Sequence, residues 1–183
     1  MADVDYRGYW ERGFTWDRYL AEEVRTSREL WEGVTARVRI PGWALEGLRT
    51  IGGEWKLLVL TEDWCGDAAN TVPVIAGLAE AAEGVEARFV KRDENPELMD
   101  LYLTGSSRSI PLAVVLDREF RPVGRWGPRP AELQEFVLRE KRAGVRSAGE
   151  IYRDARAWYA RDRGETTLRE LIGVIESAAG PGG

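Results

Sequence analysis

The sequence predicts an α/β protein in which a central mixed sheet is flanked by helices. An apolar run over residues 56–61, typical of a buried strand, is followed by a helical run over 68–82 and a second strand over 86–91. This β-α-β order predicts a parallel strand pair. A later strand over 112–116, followed by a turn and a return segment over 121–126, predicts an antiparallel hairpin.

The first fifty residues are expected to be helical. Their apolar side chains recur at near-helical spacing, at Phe14, Leu20, Val24, Trp31, Val34 and Val38. Thr15 is available as the N-cap, and Pro41-Gly42 ends this helix. A shorter helical turn is expected over residues 44–49, before the chain enters the first strand.

Two more helices are expected around the hairpin. Asn95 and Pro96 provide an N-cap and a first-turn proline for a helix that runs to Leu103. Pro130 starts another helix that runs to about Lys141. The predicted order of elements is therefore β-α-β-α-β-β-α.

Two helices are expected after this core, because the sequence contains two patterns typical of capping boxes. Ser147 with Glu150 predicts the start of the first helix, and Thr167 with Glu170 predicts the start of the second. No internal repeat or flexible linker separates these helices from the rest of the chain. We therefore expect a single domain.

Composition excludes several classes of function. The chain has 183 residues, of which 44% are hydrophobic, and this is enough apolar mass for a proper core. Its net charge of −5 argues against a nucleic-acid partner, because such proteins usually carry a basic face. The acidic N-terminus does not resemble a signal or transit sequence, and the apolar runs are too short to cross a bilayer. We expect a soluble, cytoplasmic protein with no membrane partner.

Cysteine and histidine usage narrows the chemistry further. The chain has one cysteine, so it cannot form an intrachain disulfide, and a free thiol suits a reducing compartment. Histidine is absent, which removes Cys-His and Ser-His catalytic pairs and most transition-metal sites. Thiol or carboxylate chemistry remains, and the sequence implies no metal and no cofactor.

The single cysteine, Cys65, lies between the first strand and the helix that follows it. A thiol at a helix start faces unpaired backbone N–H groups and the positive end of the helix dipole, which favour the thiolate. Glu62, Asp63 and Asp67 have the opposite effect, and Arg108 is a candidate electrostatic partner if its loop folds back. The sequence leaves the direction of the thiol pKa shift open.

Residues 64–68, Trp-Cys-Gly-Asp-Ala, resemble the Trp-Cys-Gly-Pro-Cys active site of the thioredoxin family. Pro73 falls where the family carries the proline that kinks its active-site helix. Ser109-Ile110-Pro111 resembles the cis-proline loop, which packs against the active-site cysteine, and residues 123–133 are similar to the last hairpin and helix. The resemblance covers residues 54–142 and implies a thioredoxin-like fold with a cis Ile110-Pro111 bond.

The resemblance implies a single thioredoxin-like domain over 1–183, with a core of 54–142 between helical extensions of 1–53 and 143–183. The extensions inherit nothing from the family. The motif, together with residues 91–95 and 126–130, more closely resembles a bacterial group of thioredoxin family proteins. That group offers no substrate to carry over.

Two departures from the family pattern affect the chemistry that the resemblance implies. The position of the second, resolving cysteine is occupied by Ala68, and the position of the buried acid beneath the active site is occupied by Val59. Both changes remove parts of dithiol catalysis. Reduction of protein disulfides by one molecule acting alone is therefore not expected.

Two hypotheses of function follow. In the first, Cys65 is a monothiol nucleophile that attacks a protein or small-molecule disulfide, or takes up glutathione as a co-substrate, and an external thiol resolves the product. In the second, the groove beside the cis-proline loop binds a peptide or small ligand and Cys65 performs no turnover. The candidate binding residues in both cases are Trp64, Gly66, Asp67, Ile110 and Pro111. A homodimer, formed through the added helices or a Cys65–Cys65 link, is left open.

For three of these residues the sequence leaves two interpretations open. Cys65 is either the nucleophile or a small apolar filler. Asp67 either carries a proton beside the thiol or stabilises the helix N-terminus. Trp64 either forms an exposed docking platform or packs against the loop.

Overall fold

The computed structural model describes residues 4–180, which contain one four-stranded sheet. Its strands are β1 (Trp55–Thr61), β2 (Val85–Lys91), β3 (Leu112–Leu116) and β4 (Pro122–Trp126). They lie in the order β2-β1-β3-β4, with β1 parallel to β2 and antiparallel to β3. Strands β3 and β4 form the antiparallel hairpin. This topology confirms the predicted mixed sheet and the thioredoxin-like fold.

Helices flank this sheet along the whole described chain. They are α1 (Tyr6–Arg12), α2 (Trp16–Arg18), α3 (Arg28–Arg37), α4 (Gly42–Ile51), α5 (Gly66–Ala81), α6 (Pro96–Asp100), α7 (Ala131–Ala143), α8 (Ala148–Asp162) and α9 (Glu165–Ala179). A π-helical segment, Tyr19–Glu23, continues directly from α2. No helix within residues 4–180 is long and apolar enough to cross a membrane.

The expectation of one long helix from Thr15 to Pro41 is wrong. The chain leaves helical geometry after Glu23 and starts again at Arg28, with Ser27 in a left-handed conformation (φ 55°). The carboxylate of Asp63 accepts hydrogen bonds from the backbone N–H groups of Arg25 and Thr26, at 2.9 and 2.6 Å. These two N–H groups are therefore satisfied without a continuous helix.

The two predicted capping boxes have different outcomes. Ser147 and Glu150 form a capping box at the start of α8, as expected. The expectation for Thr167 and Glu170 is wrong, because α9 already begins after Gly164, whose positive φ of 83° suits glycine. The Glu170 carboxylate instead accepts hydrogen bonds from the indole N–H of Trp126 and the backbone N–H of residue 131, both at 2.8 Å.

Two other predicted helices contain a proline, with different results. Helix α5 continues through Pro73, so this proline does not end it, as expected. Helix α6 begins at Pro96 as expected, but it ends at Asp100 instead of Leu103. Beyond it, backbone hydrogen bonds between Thr104 and Ser107 fold the chain into a turn that a longer helix would not allow.

Alternate residues of the central strands form two apolar clusters, one on each face of the sheet. The first contains Leu57 and Val59 and includes side chains from α3, α4, α5 and α9. The second contains Leu58 and Leu60 and includes side chains from α1 and α6. Cys65 packs against both clusters, so it lies at the end of β1 where the two faces meet.

Candidate functional site

Cys65 occupies the N-cap position of α5, with an extended backbone (φ −85°, ψ 114°). Its backbone N–H donates to the carbonyl oxygen of Glu62, which closes the turn between β1 and α5. The half-buried Sγ donates to the carbonyl oxygen of Ile110 at 3.5 Å. The thiol and the loop before β3, which are 45 residues apart, are thus in direct contact.

The Ile110-Pro111 peptide bond is cis, as the family resemblance implies. A second cis bond, Gly127-Pro128, was not expected from the sequence. Gly127 has a φ of 120°, and a Cβ atom there would lie 2.3 Å from the carbonyl oxygen of Pro111. Only glycine permits this close approach, which brings the loop after β4 against the cis-proline loop.

Asp67 forms a buried cluster with two side chains that the sequence analysis did not identify. One carboxylate oxygen accepts a hydrogen bond from the Tyr159 hydroxyl at 2.8 Å, and the other pairs with Nη2 of Arg129 at 2.7 Å. Nη1 of Arg129 donates to the side-chain oxygen of Gln134 at 2.7 Å. Neither earlier interpretation of Asp67 anticipates this buried ion pair. Two signals were available: a carboxylate in the first turn of a buried helix favours a nearby cation, and the family resemblance groups residues 126–130, which include Arg129, with the motif at 64–68.

The other two carboxylates predicted to act on Cys65 are engaged elsewhere. Asp63 accepts the N–H groups of Arg25 and Thr26, and these hydrogen bonds, opposed by burial, hold its pKa below the ordinary range. Glu62 accepts the backbone N–H of Asp93 at 2.8 Å, and burial raises its pKa. The charge of Asp67, by contrast, raises the pKa of the Cys65 thiol.

Arg108, the expected electrostatic partner of Cys65, has a different partner. It is exposed and forms two hydrogen bonds with the carboxylate of Asp100, both at 2.7 Å. The cation that acts on the Cys65 thiol is Arg129. The expectation for Arg108 therefore requires correction, because a nearby carboxylate competes for its guanidinium.

The pKa of the Cys65 thiol is raised above its ordinary value, chiefly by burial. The charge of Asp67 raises this pKa further. Hydrogen bonding to the N–H groups of Ala68 and Asp67 and the charge of Arg129 act in the opposite direction. The helix start favours the thiolate as expected, but desolvation outweighs it.

Trp64 is an exposed side chain beside the thiol, with 49% of its surface accessible. The guanidinium of Arg92 lies 4.9 Å from the centroid of its ring, which is a cation–π distance. Arg92 also donates to the carbonyl oxygen of Arg108 at 3.0 Å, which fixes it against the loop. Trp64 is therefore both exposed and in contact, through Arg92, with the loop, and both interpretations of this residue stay open.

The two positions that depart from the family pattern are less accessible to solvent than Gly66. Ala68 and Val59 are fully buried. Gly66 is exposed, and a Cβ atom there would meet nothing within 4 Å. The exposed residues on either side of the half-buried Cys65 are thus Trp64 and Gly66. Residues 4–180 contain no group of three or more acidic, cysteine or histidine side chains that could hold a metal ion.

Comparisons with known proteins give a family and a fold. The sequence profile of the thioredoxin family matches residues 13–146. A crystal structure of a protein of unknown function from Pseudomonas aeruginosa superposes with a TM-score of 0.76 at 20% identity, over 96% of this chain and 99% of that one. An HIV epitope-scaffold superposes with a TM-score of 0.74 at 19% identity, over 95% and 99% of the two chains. The chain matches no curated protein sequence.

Proposed function

The chain belongs to the thioredoxin family, and from this premise we propose that it is a monothiol redox protein that acts by thiol-disulfide exchange at Cys65. The observation that carries the proposal is the position of the thiol. Its Sγ lies at the start of α5, 3.5 Å from the carbonyl oxygen before the cis-proline, and beside the exposed Trp64 and Gly66.

The proposed reaction has two steps. The Cys65 thiolate attacks one sulfur of a substrate disulfide, a bond forms between that sulfur and Sγ, and the other sulfur leaves as a thiolate that takes a proton from water. An external thiol then attacks the bound sulfur, forms a new disulfide with it and releases the Cys65 thiolate. One disulfide is consumed and one is formed, so electrons balance without a cofactor.

The raised thiol pKa slows both steps. Few Cys65 side chains are ionised at neutral pH, so attack accelerates as pH rises, although a thiolate of higher pKa is intrinsically more nucleophilic. A thiol of high pKa is also a poor leaving group. The mixed disulfide at Cys65 should therefore persist until an external thiol arrives. We propose glutathione as the external thiol and the cytoplasm as the place of action, because a single free cysteine suits a reducing compartment.

Oxidised glutathione tests the proposal directly. Wild-type protein incubated with it at mildly alkaline pH should gain the mass of one glutathione, and reduced glutathione should remove it. The variant Cys65→Ser should gain none. If the wild-type protein forms no adduct with oxidised glutathione or a disulfide-bearing peptide, whether or not iodoacetamide alkylates its thiol, the redox function is wrong.

The second candidate function is a binding module without turnover. The specific observation in its favour is that burial raises the pKa of Cys65, while Trp64, stacked against Arg92, offers an exposed surface beside the cis-proline loop. In this case Cys65 should resist both alkylation and glutathionylation from neutral to mildly alkaline pH. The experiment above therefore separates the two functions.

A further inference from the structure

We propose that Asp67, Arg129 and Tyr159 are positioning residues for Cys65, so that helix α8 of the C-terminal extension is part of the redox site. This inference rests on the proposed function, because it concerns the same thiol. The three side chains form one connected cluster, in which the Asp67 carboxylate is shared between the Arg129 guanidinium at 2.7 Å and the Tyr159 hydroxyl at 2.8 Å.

The cluster is buried and is assembled from distant parts of the chain. Asp67 and Tyr159 are 9% and 7% exposed, and 92 residues separate them. Arg129 reaches the site from the loop whose Gly127 packs against the cis-proline loop. The three residues therefore belong to three separate parts of the chain: Asp67 lies in α5, Arg129 in the loop before α7, and Tyr159 in α8.

Stability alone does not account for this arrangement. Removing a carboxylate and a guanidinium from water costs energy that their attraction often fails to recover, so a buried ion pair is weak evidence of a stabilising role. In addition, the buried Nε of Arg129 finds no hydrogen-bond acceptor among residues 4–180. A packed apolar cluster would have sealed this part of the fold at lower cost.

The cluster acts on the thiol in two ways. Asp67 lies in the first turn of α5, whose backbone N–H groups at residues 67 and 68 face the sulfur, so anchoring its carboxylate holds these N–H groups in place. The charges of Asp67 and Arg129 also act on the thiol with opposite signs. Burial raises the pKa of Tyr159, so its hydroxyl remains a proton donor to Asp67 and offsets part of that negative charge.

The other charged groups near Cys65 are held by their own partners. Glu62 accepts the backbone N–H of Asp93, and Asp63 accepts those of Arg25 and Thr26. Arg92 lies on the ring of Trp64, and Arg108 pairs with Asp100. The charges that face the thiol thus come from α5 and from the loop before α7, and the modulating hydroxyl comes from α8.

The test compares two Tyr→Phe variants on the same helix. Tyr159→Phe removes the hydroxyl that offsets the charge of Asp67, whereas Tyr152→Phe removes an exposed hydroxyl bonded to Lys141. The readout is the rate of iodoacetamide alkylation of Cys65 from pH 6 to 11, a range that extends above the raised thiol pKa, together with thiolate absorbance. Tyr159→Phe should raise the pH at which half of the Cys65 thiol is ionised, which we call the midpoint. Alkylation at neutral pH should slow by about threefold to tenfold, because a rise of one pKa unit lowers the thiolate fraction tenfold. Tyr152→Phe should leave the profile unchanged.

A second variant shows whether the effect is electrostatic. Asp67→Asn removes the negative charge and leaves Arg129 unopposed, so the midpoint should move downward, opposite to Tyr159→Phe. Loosening of the fold alone would not give opposite signs. If both midpoints equal that of the wild type or move in the same direction, the inference is wrong.

Arg129 provides an independent pair if Asp67→Asn does not fold. Arg129→Gln should raise the midpoint, and Arg129→Lys, which keeps the charge, should restore most of the wild-type value. Equal midpoints for these two variants would overturn the inference. Failure of the proposed function is separate, because it is seen as a wild-type thiol that is alkylated but forms no glutathione adduct.

Discussion

Ala68 is the residue that most clearly separates this chain from dithiol thioredoxins. It lies one helical turn after Cys65, at the position that the family resemblance assigns to the resolving cysteine, and it is fully buried. A mixed disulfide at Cys65 therefore has no neighbouring thiol to resolve it. Resolution of this mixed disulfide therefore depends on a second molecule.

Ala68→Cys should restore part of the intramolecular chemistry. In this variant, addition of oxidised glutathione should give an internal disulfide between Cys65 and the introduced thiol, because the new thiol lies at the resolving spacing. Treatment with iodoacetamide followed by mass spectrometry should then show that neither sulfur is alkylated and that the protein carries no glutathione. Ala68→Ser is the matched control and should retain the glutathione adduct. Retention of the adduct by Ala68→Cys would show that the two positions cannot meet.

The identity of the thiol and its contact with the cis-proline loop could be predicted from the sequence, because both depend on short motifs. The side chains that surround the thiol could not. Arg129 and Tyr159 lie 62 and 92 residues from Asp67, so no local pattern connects them. Arg108 was the more obvious cation from its place beside the cis-proline loop, but Asp100 already pairs with it.

At the level of elements, Asp63 links the N-terminal helices to the turn between β1 and α5. Its carboxylate satisfies two backbone N–H groups between the π-helical segment and α3, and its carbonyl oxygen accepts the indole N–H of Trp31 at 2.9 Å. The break at Val24–Ser27 thus depends on a contact 37 residues away. Hydrophobic periodicity predicts a helix here, because it reflects only neighbouring residues and cannot detect a contact between distant ones.

Asp63→Ala should lower the free energy of unfolding by about 1 kcal/mol, because it removes the acceptor of two exposed backbone N–H groups, which then bond to water. Urea denaturation at neutral pH measures this loss. Asp63→Asn keeps one acceptor oxygen and should lose less. An unchanged free energy in Asp63→Ala would show that water replaces the carboxylate without cost.

The same contact predicts a pH dependence. The folded-state pKa of Asp63 is lowered, so its contribution is complete above the unfolded-state pKa and is lost as pH falls through the folded-state value. The difference in unfolding free energy between wild type and Asp63→Ala should therefore shrink with acidification below about pH 4. A difference that stays constant into the acid range would contradict the ionic role.

On the scale of the whole molecule, the two helical extensions are parts of the same fold as the core. Helix α9 contributes Leu168, Leu171 and Ile175 to the apolar cluster that also holds Val59. The family profile begins at residue 13, well before the expected core boundary at 54, and the solved structures superpose on almost the entire chain. Sequence reasoning placed the sheet correctly from apolar runs, but it did not predict that α9 packs into the central apolar cluster.

Leu171→Ala should therefore destabilise the whole protein and not only its C-terminal helix. Leu171 is fully buried, and truncating such a side chain lowers the free energy of unfolding by about 2–5 kcal/mol. Leu138→Ala, at a position 39% exposed on α7, is the matched control and should change it by less than about 1 kcal/mol. Tryptophan fluorescence and circular dichroism should report one shared transition. Two separate transitions would indicate that the extension unfolds independently.

Catalytic turnover is the most direct test of the proposal that Cys65 carries out thiol-disulfide exchange, because turnover requires both steps of the exchange at this one cysteine. The assay follows cleavage of a self-quenched fluorescent glutathione disulfide by excess reduced glutathione, with and without a small amount of the protein. We predict that wild-type protein accelerates the reaction through many equivalents of substrate, that the rate rises with pH, and that Cys65→Ser gives only the background rate. Acceleration that stops after one equivalent, or that persists in Cys65→Ser, would contradict the account.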